Sequence, residues 1–263
     1  SGNYEVVVSN DFGSFSKQIA LNVFGATAVQ MVVGDHHALY LDAMGFPYGV
    51  GRNEFGELGS LSTATSIPTR ISNEQVTGIA TSIVTSLILK KDGSLWGIGN
   101  LQSAGFGFPK TPVKITDGPV KDFAAGASSI YVVRPDGSLW TSGYNSDGRL
   151  GDGTTVHRSS LVKVMDSGVK KVFSKGSSAA VIKEDGSLWT FGLNKFGQLG
   201  NGTQLNSSNP VKIETSGVED VYTYWDTTVY VKSDGSLWGM GRNHYKMISN
   251  GTASDYLSPI KIV

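Results

Sequence analysis

An all-β chain built from about five stacked four-stranded units is the fold class this sequence predicts, on three observations. The run Asp-Gly-Ser-Leu-Trp recurs intact at Asp92–Trp96, Asp136–Trp140, Asp185–Trp189 and Asp234–Trp238, and a fixed period of this size marks a repeat architecture. Glycine and asparagine recur in phase with it: Gly51, Gly99, Gly143, Gly192 and Gly241 follow the anchors Tyr48, Trp96, Trp140, Trp189 and Trp238 by the same interval. No segment holds a 3.6-residue apolar period over roughly ten positions, so nothing reads as a helix.

The copy around Trp189 shows the physics of one unit. Ala179–Lys183 is short, apolar and bounded by turn residues, which is a strand signal. Asp185-Gly186 is a two-residue hairpin signal and predicts a type I′ turn, with positive φ at both central positions. Leu188–Phe191 returns as a second strand, with Trp189 and Phe191 on one face and Leu188 and Thr190 on the other. Gly192 then stands where a Cβ would obstruct a bend. A loop rich in Asn and Gly leads to a third strand, Pro210–Ile213, and Val218–Tyr222 opens the next unit. In the first copy Met44-Gly45-Phe46-Pro47-Tyr48 takes the place of the Asp-Gly-Ser-Leu-Trp run. Asn53, Asn145, Asn194 and Asn243 hold one loop position, with Leu101 there in the second copy. Gly59, Gly107, Gly151 and Gly200 hold another, replaced by Ser249 in the last. The long loops are expected at 52–69, 144–160, 193–209 and 242–258.

The chain has 263 residues, 22 basic and 22 acidic, and no cysteine. It is long enough to bury a sizeable core. Zero net charge gives no case for nucleic acid or an anionic membrane as partner, and no apolar run is long enough to span one. Lack of cysteine excludes disulfides and thiol chemistry and fits the cytoplasm or a bacterial exterior. Residues 1–25 fall outside the repeat. Gly2–Asn10 and Phe15–Val23 read as two strands joined at Asp11–Ser14, an N-terminal β-hairpin, and Phe24–Ala28 as a linker. The alternative is a hairpin that packs on, or completes, the main domain of residues 26–263.

A four-stranded unit cannot bury both faces alone, so copies must stack. Short antiparallel strands, tight hairpins and a bulky aromatic with a crowding glycine in each copy favour the radial stacking of a β-propeller. The motif Asp-Gly-Ser-Leu-Trp-x-x-Gly-x-Asn-x-x-Gly-x-Leu-Gly-x-Gly-Thr, followed by Pro-Val-Lys-Ile, resembles the repeat of the regulator of chromosome condensation family from Val29 to Val263. The resemblance implies a propeller, here either a closed five-bladed ring or an incomplete arc of a seven-bladed one. An offset between repeat and blade would let Ile260–Val263 pair with early strands and close the ring. The founding member of that family is an exchange factor for a small GTPase, but no exchange residues map onto this chain. The tryptophan motif of the family's plant ultraviolet receptor is absent, since Trp225 is followed by Asp226. Gly2-x-Tyr4-x-Val6, Ser9-Asn10 and Gly13-Ser14 resemble the last two strands of an immunoglobulin-like domain, with Val6 where antibody-type domains carry cysteine. This implies a partial domain and a chain that begins inside it.

The candidate sites divide into structural and functional readings. His37 takes the place of Thr85, Ser129, Ser178 and Thr227 in the other copies; the resemblance, in a family that often has His there, implies an inter-blade hydrogen bond, and a metal site would need more ligands converging. The four Asp-Gly aspartates fit turn chemistry. Asn145-x-Asp147-Gly148 with Asp152 faintly resembles a calcium loop but lacks the closing Glu. Asn201, Asn206 and Asn250 stand in glycosylation sequons, the first and last being the repeat's own Gly-Thr loop. No catalytic constellation, metal set or cofactor motif is present. Function is therefore expected on the loops: Arg52, Phe55, Tyr144, Phe196, Arg242 and Tyr245 would give one rim the aromatic and arginine composition of interfaces, unless Phe55 and Phe196 merely fill gaps between blades. The expectation is a noncatalytic protein- or glycan-binding module of a larger, secreted or surface bacterial protein; an intracellular exchange factor or signalling regulator is the alternative.

Overall fold

The computed structural model describes residues 2–10, 13–21, 28–59, 64–246, 248 and 253–262, the first two segments by backbone pairing alone. β1 (Gly2–Asn10) and β2 (Gly13–Leu21) pair antiparallel from Gly2↔Leu21 to Asn10↔Gly13 as a sheet of their own. The hairpin is thus formed, and neither strand extends a blade. The Tyr4 and Val6 side chains, the turn residues 11–12 and the linker at 24–27 lie outside the described residues.

Five four-stranded antiparallel sheets follow, each in simple up-and-down order. Blade one holds β3 (Ala28–Val33), β4 (His37–Asp42), β5 (Pro47–Gly51) and β6 (Thr65–Arg70). Blade two holds β7 (Val76–Thr81), β8 (Thr85–Lys90), β9 (Leu95–Gly99) and β10 (Val113–Thr116). Blade three holds β11 (Asp122–Gly126), β12 (Ser129–Val133), β13 (Leu139–Gly143) and β14 (Arg158–Met165). Blade four holds β15 (Val169–Ser174), β16 (Ser178–Lys183), β17 (Leu188–Gly192) and β18 (Ser207–Glu214). Blade five holds β19 (Val218–Tyr224), β20 (Thr227–Lys232), β21 (Leu237–Gly241) and β22 (Tyr256–Lys261). The central pairing keeps one register throughout, His37, Thr85, Ser129, Ser178 and Thr227 each facing the glycine after the anchor.

Three expectations need correction. The Asp-Gly turns are not type I′. Gly186 has φ of 74°, whereas no Asp of these turns is left-handed. Gly186 N–H bonds Lys183 O and Lys183 N–H bonds Ser187 O, a three-residue hairpin loop whose glycine forms the bulge. The Asp is needed for its carboxylate: Oδ1 of Asp185 accepts the Ser187 N–H at 2.9 Å, and Asp92, Asp136 and Asp234 accept the matching serines. This bonding holds all four carboxyls below their ordinary value. Second, the long loops end sooner than expected, because the fourth strands begin at Thr65, Arg158, Ser207 and Tyr256. These strands lie at the outer edge of each sheet and hold no buried residue, so they lack the apolar alternation that marks a half-buried strand. Third, Ile260 pairs with Gly239 inside its own blade and closes nothing; Val263 lies outside the described residues.

The blades are joined by four apolar junctions. Between blades three and four, Tyr131, Val133 and Leu139 meet Val172, Val181 and Phe191. Between four and five, Ala180, Ile182 and Leu188 meet Val221, Tyr230 and Met240. The same positions join one to two and two to three. The tryptophan anchors sit at these junctions: Trp96, Trp140, Trp189 and Trp238 each pack, partly buried, against the cluster shared with the preceding blade. Each donates its indole N–H to its own serine and is faced by a cation, Lys90 lying 3.6 Å from the Trp96 ring centre. Tyr48 instead stacks on Tyr40 at 4.9 Å.

Among the described residues, no such cluster joins blade five to blade one. Leu188, Leu139 and Leu95 are fully buried, but Leu237 and its neighbours Val229 and Val231 are only half-buried. Met31 of β3 is 37 % exposed where Ile79, Val172 and Val221 are buried. The five sheets thus make an arc with an uncovered leading face on blade five. Its inner strands β3, β7, β11, β15 and β19 line a common cavity of about 490 Å3.

Candidate functional site

One rim of the arc is made by two kinds of connection from each blade: the short turn between its first and second strands, and the long loop between its third and fourth. They are tied together by backbone bonds, Arg52 N–H to His36 O, Tyr144 to Ser128, Leu193 to Ser177 and Arg242 to Asp226, all 2.8–3.0 Å. The approach is close. A Cβ on Gly192, whose φ is 107°, would sit 2.5 Å from Ser177 O; only glycine fits the left-handed backbone and the space.

The repeat asparagines hold the long loops. Asn194 is fully buried; its Oδ1 accepts the Leu199 N–H at 2.9 Å, and its Nδ2 donates to the Thr203 and Leu205 carbonyls. Asn53, Asn145 and Asn243 accept from Leu58, Leu150 and Ile248 in the same way. A second pin is invisible as a motif because its chemistry changes from copy to copy: the backbone N–H of Asn145, Asn194 and Asn243 bonds His157 Nδ1, Asn206 Oδ1 and Asp255 Oδ1 in turn. Leu101 takes the place of asparagine in blade two and is buried in the junction with blade three, beside a 3-10 turn at Gln102–Ala104.

The six expected rim residues fall into three groups. Phe196, Arg242 and Tyr245 come together across the gap between blades four and five, the guanidinium lying 4.7 Å from the Phe196 ring centre and 6.0 Å from that of Tyr245. Arg52 stands 5.4 Å over Phe55, which stacks on Phe108 of blade two at 5.9 Å. Tyr144 stacks on His157 at 4.4 Å with Arg149 on its ring at 4.8 Å. All six are accessible, though only Tyr245 is largely exposed. Phe55 and Phe196 therefore contact the neighbouring blade and remain partly exposed at once. Such rigid aromatic and arginine groups can anchor a partner with little loss of side-chain freedom.

The remaining candidates resolve into structure. His37 of blade one is buried and its Nε2 lies 3.0 Å from Ser86 Oγ and 2.5 Å from Thr81 Oγ1 of blade two, the inter-blade bond expected. Burial, then His36 and Lys175 nearby, push its pKa down to about 4. In the calcium-like loop Asp147 pairs with Arg149 and Asp152 with Arg158, so the carboxylates are already neutralised. No group of three or more His, Cys, Asp or Glu suited to a metal occurs among the described residues. Asn201 and Asn206 serve the Asn194 network; Ser249 and Asn250 lie outside the described residues. No helix among the described residues is long and apolar enough to cross a membrane.

Sequence reasoning passed over one cluster. Tyr222, Tyr224 and Trp225 at the end of β19 are 55 %, 41 % and 43 % exposed. Lys175 lies 5.9 and 6.0 Å from the two tyrosine rings and also bonds the Val33 carbonyl, while the Trp225 indole N–H donates to Asp35 Oδ2 at 3.0 Å. The available signal was that Trp225 alone among the tryptophans is out of phase with the repeat.

A β-propeller arc of repeated blades, carrying its variable loops on one rim, is the class of protein these features define. Residues 185–223 match the sequence model of the regulator of chromosome condensation (RCC1) repeat, a segment that runs from β17 into β19, so the repeat straddles two blades. The fold is an RCC1-like β-propeller. Human WBSCR16 is 18 % identical with a TM-score of 0.79, over 94 % of this chain and 68 % of that one. Prp20p of Saccharomyces cerevisiae, whose structure is described with its binding to Gsp1p and histones, is 19 % identical with a TM-score of 0.80, over 94 % and 67 %. Yeast RCC1 (Prp20) bound to Kap60 gives 16 % and 0.81, over 94 % and 64 %. The chain thus spans about two thirds of these solved chains.

Proposed function

We propose that this chain is a noncatalytic recognition module that binds a protein or a glycan through the loop rim. The carrying observation is the set of cation–aromatic groups at Arg52/Phe55, Tyr144 and Phe196/Arg242/Tyr245, each on a loop pinned by a buried asparagine. Conformation is fixed before binding, which lowers the entropic cost of association. The β1–β2 hairpin, read as the last strands of an immunoglobulin-like domain, and the cysteine-free composition support placement in a larger secreted or surface bacterial protein. Once a partner has been found by screening purified protein and glycan panels, alanine at Arg52, Tyr144, Arg242 and Tyr245 should each weaken binding, the strongest by about tenfold or more. Unchanged affinity in all four variants would remove this rim from consideration.

The second reading is an intracellular exchange factor or signalling regulator, favoured by the fold likeness to Prp20p. It requires faster nucleotide release from a small GTPase, and a panel on which the chain accelerates none would exclude it.

A further inference from the structure

We infer that the Tyr222–Tyr224–Trp225 cluster, where β19 ends and turns into β20, is a binding site for a neutral sugar unit built from residues other than the six loop residues. Comparison of the five blades within this one chain motivates it. The turn positions of Tyr224 and Trp225 hold Gly34 and Asp35, Ser82 and Ile83, Gly126 and Ala127, and Lys175 and Gly176 in the other copies. The fold therefore needs no aromatic at either place, and blade five alone has two. Trp225 further adopts φ of 48°, a left-handed conformation that is a genuine outlier for a bulky residue and that clusters at ligand sites. Gly176 accommodates it: a Cβ there would come within 3.0 Å of the Trp225 Cα.

The chemistry around the rings selects the ligand. All three aromatics are partly exposed, and Tyr222 lines the common cavity together with Lys175, Val33 and Phe173, a cavity whose volume is within the range of small-ligand sites. Aromatic clusters of this kind often hold a cation, but here the protein's own Lys175 already occupies that place beside Tyr222 and Tyr224. A second cation would be repelled. An anion would be opposed by Asp35, which lies against the indole. A neutral polyol meets neither objection. One face of a pyranose carries C–H groups that pack on an aromatic ring, and its hydroxyls can both donate and accept. The Tyr222 hydroxyl, 3.4 Å from Lys175 Nζ, can donate to or accept from one of them, whereas Asp35 Oδ1, a buried acceptor with no partner among the described residues, is not itself open to the ligand.

The test is an array of neutral, acidic and basic oligosaccharides read with the intact chain, followed by titration of the best neutral hit. Binding should fall by about tenfold or more in Trp225→Ala, the loss of a single stacked ring. It should persist in Trp225→Phe, which keeps a ring, and in Tyr144→Ala, which alters the rim at blade three, where Tyr144 packs on His157 and Arg149. Should Trp225→Ala lose its native circular dichroism, Tyr224→Ala replaces it. Retention of binding in both alanine variants, or no neutral hit from folded chain, would overturn the assignment. So would quenching of Trp225 by tetramethylammonium, or a captured protein that needs Trp225 while no glycan does. Because Tyr144→Ala alters only the six-residue rim set and Trp225→Ala only the aromatic cluster, failure of one proposal is distinguishable from failure of the other.

Discussion

Leu188→Ala is expected to lower the unfolding free energy by about 2–5 kcal/mol, and Leu237→Ala by roughly 1 kcal/mol or less. The two leucines occupy the same repeat position and both precede the anchor tryptophan, so propensity and local sequence predict equal effects. What differs is the next blade. Leu188 is fully buried in the junction with Val221 and Tyr230, and its removal leaves a cavity that surrounding atoms only partly fill. Leu237 faces the uncovered side of blade five beside Val229 and Val231. Urea unfolding of the two variants measures the contrast. Equal losses would mean that blade five is covered as blades one to four are, and that the arc is closed. The same logic makes Val231→Asp tolerable and Val133→Asp destructive, since only the latter buries an unpaired charge.

Stability should fall by up to about 3 kcal/mol between pH 6.5 and pH 4, through His37 alone. Its folded pKa is depressed to about 4 by burial, then by His36 and Lys175, against an unfolded value of about 6.5. Within that window the unfolded chain takes up a proton that the folded chain refuses, so the contribution present above the unfolded value is lost as pH falls. A protonated ring would also place an N–H at Nδ1, which is buried with no partner among the described residues. Serine at this position, as Ser129 and Ser178 already show, should flatten the profile over the window. The Asp-Gly carboxylates do not interfere, because their depressed pKa values confine their loss to pH below the ordinary 3.8. Urea midpoints at pH 7 and pH 4.5 for both proteins decide it; the same slope in His37→Ser would exonerate His37.

Much of the candidate site was legible because the repeat is strict. Buried asparagines at one phase announce pinned loops, and aromatic and arginine residues at two others announce what those loops carry. The partners of those residues were not legible. Arg242 reaches Phe196 across 46 positions of chain, and His157, Asn206 and Asp255 do one job with three chemistries. Trp225 could be noticed only as an exception, since its neighbours Lys175 and Asp35 belong to blades four and one. The turn type was misread for a related reason: Asp-Gly fits two hairpin geometries, and the serine that follows decides between them by bonding the carboxylate.

The amino-acid sequence by itself determined the unit. Period-two apolar alternation, a glycine where no Cβ fits and a turn-forming carboxylate are local requirements, satisfied within one copy and repeated across the chain. Only the tertiary structure decided how the units end. Whether a leucine is core or surface depends on a sheet that its own repeat does not encode, because burial is a property of two faces brought together. The uncovered face of blade five and the aromatic cluster beside it arise where that second face is absent or replaced.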